Sequence, residues 1–537
     1  MIPDYPGSAI VPRPVSQKNT GGMCLLGEGV QIVTPPEFLS TAELLAQRLR
    51  RVTNWPVPLN TRLDQQREGQ VIEFRHDAGL ADREAYTLQV IEDGAVISAS
   101  SSAGAYYGSQ TMLQLLPAAV YGDDLRLNVQ WRMPTVEIED APGFRWRSVM
   151  LDSVRHFQPI EYIRKFIDVL SQHKINIFHW HLTDDQGWRI EIKKYPLLTG
   201  IGSCRRETMR GHQFHTIPEG DGKPIEGYYT QDEIRDLVAY AAVRNVQILP
   251  EIEMPGHAQA AVAAYPHLGL RSDRLEVSSR WGIHETLFNV RPETISFLQD
   301  VLDEVVALFP FEYLHIGGDE AKKKQWQEDA ETQARMKELG LKDEEELQGW
   351  FIAQMAEFVH TRGKKLIGWD EILEAELPKG TRVMSWRDET GAIKAAKKGH
   401  EAIMCASHSL YFNLAQTKAS EMAPLDIGGF APLEKVYAFE PVPKEMPEKL
   451  SHHVIGVQGH LWTEYIPNLA RLEHMAFPRI SALADIAWSS KDRPPFQDFL
   501  RRLKDHLRRL DCQEVHYFAP LEEFSGISYE KVCSAVN

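Results

Sequence analysis

Asp319 and Glu320 stand side by side in the stretch YLHIGGDEA, residues 313 to 321, just after the breaker segment LFPFE. Carboxyl groups act as general acids, bases or electrostatic partners when their surroundings tune them. Taken alone, the motif reads more readily as an ordinary glycine turn carrying solvated acids. It gains weight from its company. Along the chain come Asp152 and Arg155; His179, His181, Asp184 and Asp185; Glu251, Glu253 and His257; His315 with the acid pair; Trp369, Asp370 and Glu371; Trp386; Tyr411 and Asn413; Trp462 and Glu464. Carboxylates and tryptophans dominate this set. Indole faces stack on the C–H face of a sugar ring while carboxylates and Arg hydrogen-bond its hydroxyls, so the set suggests a carbohydrate pocket.

Each cluster ends a short apolar run. FRWRSVMLDS, INIFHWHLTDD, VQILPEIE, EYLHIGG, KLIGWDE, TRVMSWR, EAIMCAS and VIGVQGHLW make eight strand candidates. Helical patterns such as IEYIRKFIDVLSQH, TQDEIRDLVAYAAVR, ETISFLQDVLDEVVALF and EELQGWFIAQMAEFVHTRG lie between most of them. Eight strand–helix repeats predict an α/β fold, a (β/α)8 TIM barrel, whose C-terminal strand ends share one site. A doubly wound open sheet is the alternative, but no Gly-rich phosphate loop follows the first strand. The first 140 or so residues mix strands with two helical stretches, PEFLSTAELLAQRLRRVT and GAYYGSQTMLQLLPAAV. Between them YTLQVIEDGAVISASS alternates around Asp-Gly and predicts a β-hairpin. The expected organisation is a small non-catalytic α+β domain over 1–140, then a catalytic barrel with a C-terminal helical segment over 141–537.

At 537 residues, 43% hydrophobic and 25% charged, the chain is long enough for several domains with substantial cores. A net charge of −16 and no basic run beyond AKKK argue against a nucleic-acid partner. No apolar stretch is long enough for a membrane span. The start MIPDYPGSAIVPRP lacks a charged region followed by an apolar one, so localisation stays open, with a secreted or periplasmic site favoured if an export signal has been removed. Cys24, Cys204, Cys405, Cys512 and Cys533 form no CxxC pair and are expected to be buried or inert thiols.

GFRWRSVMLDSVRHF, HWHLTDDQGWRIEIKKYP, PEIEMPGHA, HIGGDEA, GWDEI, SWR and GHLWTEY resemble the motif series of the family 20 glycoside hydrolases, the β-N-acetylhexosaminidases. The resemblance runs from about residue 9 to about residue 518, and IVPRP and GAYYGSQTMLQLLP look like that family's non-catalytic front domain. Most glycosidases set two carboxyl groups on opposite sides of the scissile bond, roughly 5 Å apart for retention or about 6.5–9.5 Å for inversion. Neighbouring residues suit that division poorly. The resemblance implies another one: the sugar's own 2-acetamido oxygen attacks the anomeric carbon, giving an oxazolinium intermediate with retention.

By similarity, Glu320 is the acid that protonates the leaving oxygen and later activates water. Asp319 orients the acetamido N–H and stabilises the charge developing there. An acid useful near neutral pH must hold its proton, which a neighbouring anion and partial desolvation favour; Asp319 itself must be ionised. His257 and Asp184 match a pair behind the acid, for proton supply and orientation. Trp369, Trp386 and Trp462 match the walls around the acetamido group, and Tyr411 a donor to its carbonyl. Arg155 matches the residue gripping the 3- and 4-hydroxyls, and Glu464 the one holding the 4- or 6-hydroxyl. These carry-overs imply an exo-acting enzyme that removes terminal GlcNAc or GalNAc from a glycan, with no cofactor; a homodimer is left open. Asn413 departs from the family's usual Asp two positions after the pocket Tyr. That leaves the GlcNAc–GalNAc preference open and raises tolerance of a 6-sulfate as a hypothesis.

Other readings compete. His179 and His181 share a strand face, as metal ligands do, but no remaining ligand set is evident, and packing or hydrogen bonding is preferred. Trp146, Trp326 and Trp488 read as core or helix-face residues, and KKYP and AKKK as solvated faces. Asp370 and Glu371 are structural or touch an adjoining subsite. A sugar-binding barrel without activity, or a metal-dependent hydrolase, are the other functional classes; binding without hydrolysis would reveal the first and loss of activity in chelator the second.

Overall fold

Short apolar runs capped by polar residues suit parallel strands, because helices cover the outer face of a barrel and packed side chains fill the inner one. The computed structural model, which describes residues 9–61, 69–214, 219–271, 273–417, 424–489 and 493–519, holds all eight as a closed parallel barrel. Its strands are β1 (Trp146–Asp152), β2 (Ile177–His181), β3 (Gln247–Glu251), β4 (Tyr313–His315), β5 (Lys365–Trp369), β6 (Arg382–Ser385), β7 (Glu401–Met404) and β8 (Val454–Leu461).

Helices Ile160–Gln172, Gln231–Ala242, Pro292–Leu308 and Glu344–Thr361 make the first four crossovers. The second starts at a capping box, with Thr230 accepting from the Glu233 N–H while the Glu233 side chain accepts from the Thr230 N–H. Beyond β5 the outer layer thins: a 3-10 turn, Asp370–Glu374, is the first element after β5, and the helix Thr390–Lys397 follows β6. Helix Arg479–Trp488, buried along its whole length, closes the ring behind β8 and β1. Trp146, Leu249, Tyr313, Ile367, Met384 and Ile403 fill the inside of the barrel as a packed plug.

Register sets the site. Asp152 of β1 pairs with His181 of β2, His181 with Glu251 of β3, and Glu251 with His315 of β4. Four polar residues scattered over 164 positions therefore form one row at the C-terminal end of adjacent strands.

The front domain is a seven-stranded mixed sheet containing the expected hairpin, Tyr86–Ile91 against Gly94–Ala99. Helix Ser102–Leu115 packs on this sheet, and every residue from Gly104 to Leu115 is buried. Close helix–sheet contact explains the glycine at 108, where a Cβ would lie 2.6 Å from Ile97 Cγ2. A buried ion pair joins the sheet to the barrel: Lys174 Nζ donates to Asp140 Oδ2 at 2.7 Å and to the Tyr86 hydroxyl at 2.9 Å. Trp488 donates its indole N–H to the other Asp140 oxygen at 2.9 Å. Trp146, Trp326 and Trp488 are core residues, as expected. Cys24 and Cys405 are buried and Cys204 and Cys512 half-buried, all as free thiols, while Cys533 lies outside the described residues. No helix among the described residues is long and apolar enough to cross a membrane.

Candidate active site

After β4 the chain turns through Gly317 and Gly318, both left-handed with φ of 66° and 96°. A Cβ at 317 would fall 1.7 Å from Glu253 Oε2, so the turn needs glycine for space as well as for φ. Glu320 is itself left-handed at φ 49°, a costly conformation for a residue with a Cβ. The turn separates the two neighbouring carboxylates. Asp319 is buried in the wall of a cleft, whereas the side chain of Glu320 is 29% exposed at its rim. Burial, with Glu320 adding to it and His257 opposing, pushes Asp319 up to about 7. The free site thus holds Asp319 close to the point of protonation near neutral pH.

Behind the pair sits His257, also left-handed at φ 49°. Its Nε2 lies 3.6 Å from Glu320 Oε2 and 3.7 Å from Asp319 Oδ2, and its Nδ1 is 3.1 Å from Asp184 Oδ1. The other Asp184 oxygen takes Arg155 Nη2 at 2.6 Å. Although burial works against it, Asp184 stays well below the usual carboxylate range because Arg155 and His257 hold the anion. Arg155 is fixed further by Gln186, which accepts from Nε at 2.8 Å, and lies over the Trp462 ring at 5.1 Å.

All eleven residues singled out from sequence line the same cleft, of about 710 Å³. Trp386 and Tyr411 stack in parallel with ring centres 6.2 Å apart, and Trp369 lies 6.2 Å from Trp462. Glu371 resolves from an undecided residue into a support: its Oε2 accepts the Trp386 indole N–H at 3.0 Å. Seven polar atoms of cleft-lining residues have no hydrogen-bond partner among the described residues: both oxygens of Glu253, Asp319 Oδ1, Asn413 Oδ1, Glu464 Oε2, and the indole nitrogens of Trp369 and Trp462. Buried polar groups are normally paired, so this set marks where a polar ligand binds.

The floor of the cleft carries a cluster that sequence reasoning left unassembled. Where only His179 and His181 were evident as possible ligands, the barrel brings Glu251 and His315 beside them. Glu251 lies 3.2 Å from His179 Nε2, 2.5 Å from His181 Nδ1 and 2.8 Å from His315 Nδ1; the His181 contact is a hydrogen bond, whereas His315 Nδ1 accepts from the Gly317 N–H and Glu251 Oε1, His179 Nε2 and His315 Nε2 have no hydrogen-bond partner among the described residues. Glu253, facing Asp319, is fully buried with neither oxygen paired among the described residues. Burial, then Asp319 and Glu251, push it well above the carboxylate range. The rim holds two aromatic residues that no strand-end pattern flagged, Trp281 and the 80%-exposed Phe214.

Residues 144–491 match the model of the glycosyl hydrolase family 20 catalytic domain, and residues 7–141 match that family's domain 2. The chain belongs to glycosyl hydrolase family 20. It is 42% identical over 530 residues to a beta-hexosaminidase of Porphyromonas gingivalis, covering 98% of this chain and 66% of that one. It therefore spans about two thirds of that relative's length. Among solved structures, the family 20 exo beta-N-acetylglucosaminidase from Vibrio harveyi in complex with N-acetylglucosamine superposes with a TM-score of 0.83 at 34% identity, over 96% of this chain and 79% of that one. A Streptomyces plicatus N-acetyl-beta-hexosaminidase in complex with Thio-NAglucal gives 0.83 at 29% identity, over 97% and 98%. Within this family 20 fold, Asn413, the residue that departs from the expected Asp, is buried in the wall of the cleft with its carbonyl oxygen unpaired among the described residues.

Proposed function

We propose that this family 20 hydrolase is an exo-acting β-N-acetylhexosaminidase that removes terminal β-linked GlcNAc or GalNAc from a glycan with retention, through an oxazolinium intermediate formed by the substrate. The observation that carries the reading is the split between Asp319 and Glu320: one carboxylate buried in the pocket wall, the next exposed at the rim, with His257 behind both. Adjacent residues so divided serve two tasks at one face of the sugar instead of flanking the bond.

Glu320 protonates the leaving oxygen and returns as the base for water. Asp319 accepts the acetamido N–H and faces the positive charge that develops as the oxygen attacks; that charge favours its ionised form. The tryptophan walls, with Tyr411 donating to the acetamido carbonyl, hold the attacking oxygen near the anomeric carbon. Arg155 and Glu464 hold hydroxyls at the non-reducing end and close the cleft there.

Release of 4-nitrophenol from β-GlcNAc and β-GalNAc glycosides by wild type, Glu320→Gln and Asp319→Asn tests the assignment. Unimpaired turnover by either variant overturns it. Tight inhibition by GlcNAc-thiazoline separates substrate assistance from a protein nucleophile.

A further inference from the structure

Beneath the groups that face the sugar, the row of residues set by strand register contains an ion pair that the reaction above leaves unused. His181 engages both ring nitrogens there: Nδ1 lies 2.5 Å from Glu251 Oε2, and Nε2 lies 3.0 Å from Asp184 Oδ2. From Asp184 the path continues through Oδ1 to His257 Nδ1 at 3.1 Å, and from His257 Nε2 to Glu320 Oε2 at 3.6 Å. Every side chain before Glu320 in this path is buried.

We propose that His181 and Glu251 are positioning residues, an ion pair that locks Asp184 as the anion orienting His257 toward Glu320. The inference rests on the role of Glu320 proposed above.

Asp184 has two masters. Its Oδ2 accepts from Arg155 at 2.6 Å as well as from His181, and Arg155 lines the cleft where sugar hydroxyls bind. A guanidinium that re-forms its hydrogen bonds around a ligand cannot alone hold a carboxylate still. His181 is the donor to that oxygen that does not line the cleft, so its grip is independent of the sugar. With donors on both oxygens, Asp184 can only accept, which makes His181 Nε2 a donor.

The surroundings of His181 fix its second proton. Glu251 faces it from β3 and Glu253 from the segment just after it, Asp184 from the segment just after β2, Asp152 from β1 and His460 from β8. Burial pulls the imidazole down, but Glu251 and Asp184 outweigh it and hold it at about 10. Burial drives His460 well below its usual value, so it adds no competing charge. Glu251, despite its burial, is kept well below the carboxylate range by His315, His181 and His179.

Leaving-group dependence separates this role from a merely structural one. A dinitrophenolate departs with little need of a proton, whereas the sugar leaving group of chitobiose needs one, so kcat/KM for the two substrates reads acid support directly. Glu251→Gln is expected to lose about tenfold or more extra on chitobiose relative to 2,4-dinitrophenyl β-GlcNAc. His257→Gln should show the same signature, and the double variant should be no worse than His257→Gln alone. Equal losses on both substrates, or losses that simply add, overturn the proposal. Should Glu320→Gln itself lack leaving-group dependence, the reading of Glu320 falls first. Neutron diffraction on wild-type crystals needs no variant to fold: deuterium on both ring nitrogens of His181 is expected, and a singly deuterated ring overturns the ion pair.

Discussion

Arg155 and His257 are joined through opposite oxygens of one carboxylate, Asp184, at 2.6 Å and 3.1 Å. The group proposed to grip the sugar's hydroxyls and the group behind the proposed acid therefore share one anion, and a change at Asp184 reaches both. Asp184→Asn removes the shared anion and should lower kcat/KM by about 10²–10³-fold. Arg155→Lys keeps the charge but loses the fork, and steady-state kinetics should show kcat falling as well as KM rising. A pure KM effect in both variants would contradict the coupling.

The two carboxylates proposed as catalytic should fail differently. Glu320→Gln should cost about 10²–10⁴-fold in kcat with 4-nitrophenyl β-GlcNAc, the range of a lost general acid. Asp319→Asn should weaken binding of GlcNAc-thiazoline, whose ring imitates the charged intermediate, more than it weakens binding of the product GlcNAc. Inhibition constants measured side by side give the comparison.

The burial of Asp319 has opposite consequences for activity and stability. Its pKa in the fold is raised from 3.8 to about 7, so across that interval the folded state binds more protons than the unfolded one. Stability falls as pH rises through this window and the penalty is complete above it. Asp319→Asn should raise the melting temperature at pH 8, by on the order of 1–2 kcal/mol in stability, while abolishing turnover. Wild-type kcat/KM should fall as pH drops below about 7, since the free enzyme must ionise this carboxyl. Scanning calorimetry and a pH–rate profile check the two halves.

Glu371 tests how far the pocket wall is held in place. It accepts the Trp386 indole N–H at 3.0 Å, and Trp386 stacks parallel to Tyr411. Glu371→Ala leaves that indole unpaired and free to shift, and KM for the aryl glycoside should rise roughly tenfold, the equivalent of one hydrogen bond. Glu371→Gln, which can still accept, should stay within about threefold of wild type.

Asn413 offers a specificity switch. A carboxylate there accepts from hydroxyls but repels an anion, whereas the amide both donates and accepts and carries no charge. Asn413→Asp should change the ratio of GlcNAc to GalNAc turnover and depress hydrolysis of 6-sulfated aryl GlcNAc more than the plain glycoside. Equal effects on all three substrates would leave Asn413 without a discriminating role.

The barrel was legible in the sequence because each strand is an apolar run with its own polar terminus, and β1 to β8 fall within the eight runs. The residues lining the cleft were legible for the same reason, since strand ends converge whatever the loops between them do. His181 and Glu251 carried no such signal as a pair: 70 positions separate them, and register between β2 and β3 brings them together. Trp281 and Phe214 sit on rim segments outside any strand or helix, where no period marks a side chain as facing the site. The burial of Asp319 was not legible because adjacency in sequence says nothing of burial, and the glycine turn sends one carboxylate into the wall and its neighbour to the rim.

The contact between Lys174, Asp140, Tyr86 and Trp488 decides what can be inherited separately. Lys174 belongs to the barrel's first repeat, Asp140 and Tyr86 to the front sheet, and Trp488 to the last helix of the ring. Cutting the chain ahead of β1 would strand a lysine and an indole in an apolar interface with their acceptor gone. The front domain is thus no freely interchangeable cassette: any replacement has to bring its own acceptor for Lys174 and Trp488 where Asp140 now stands.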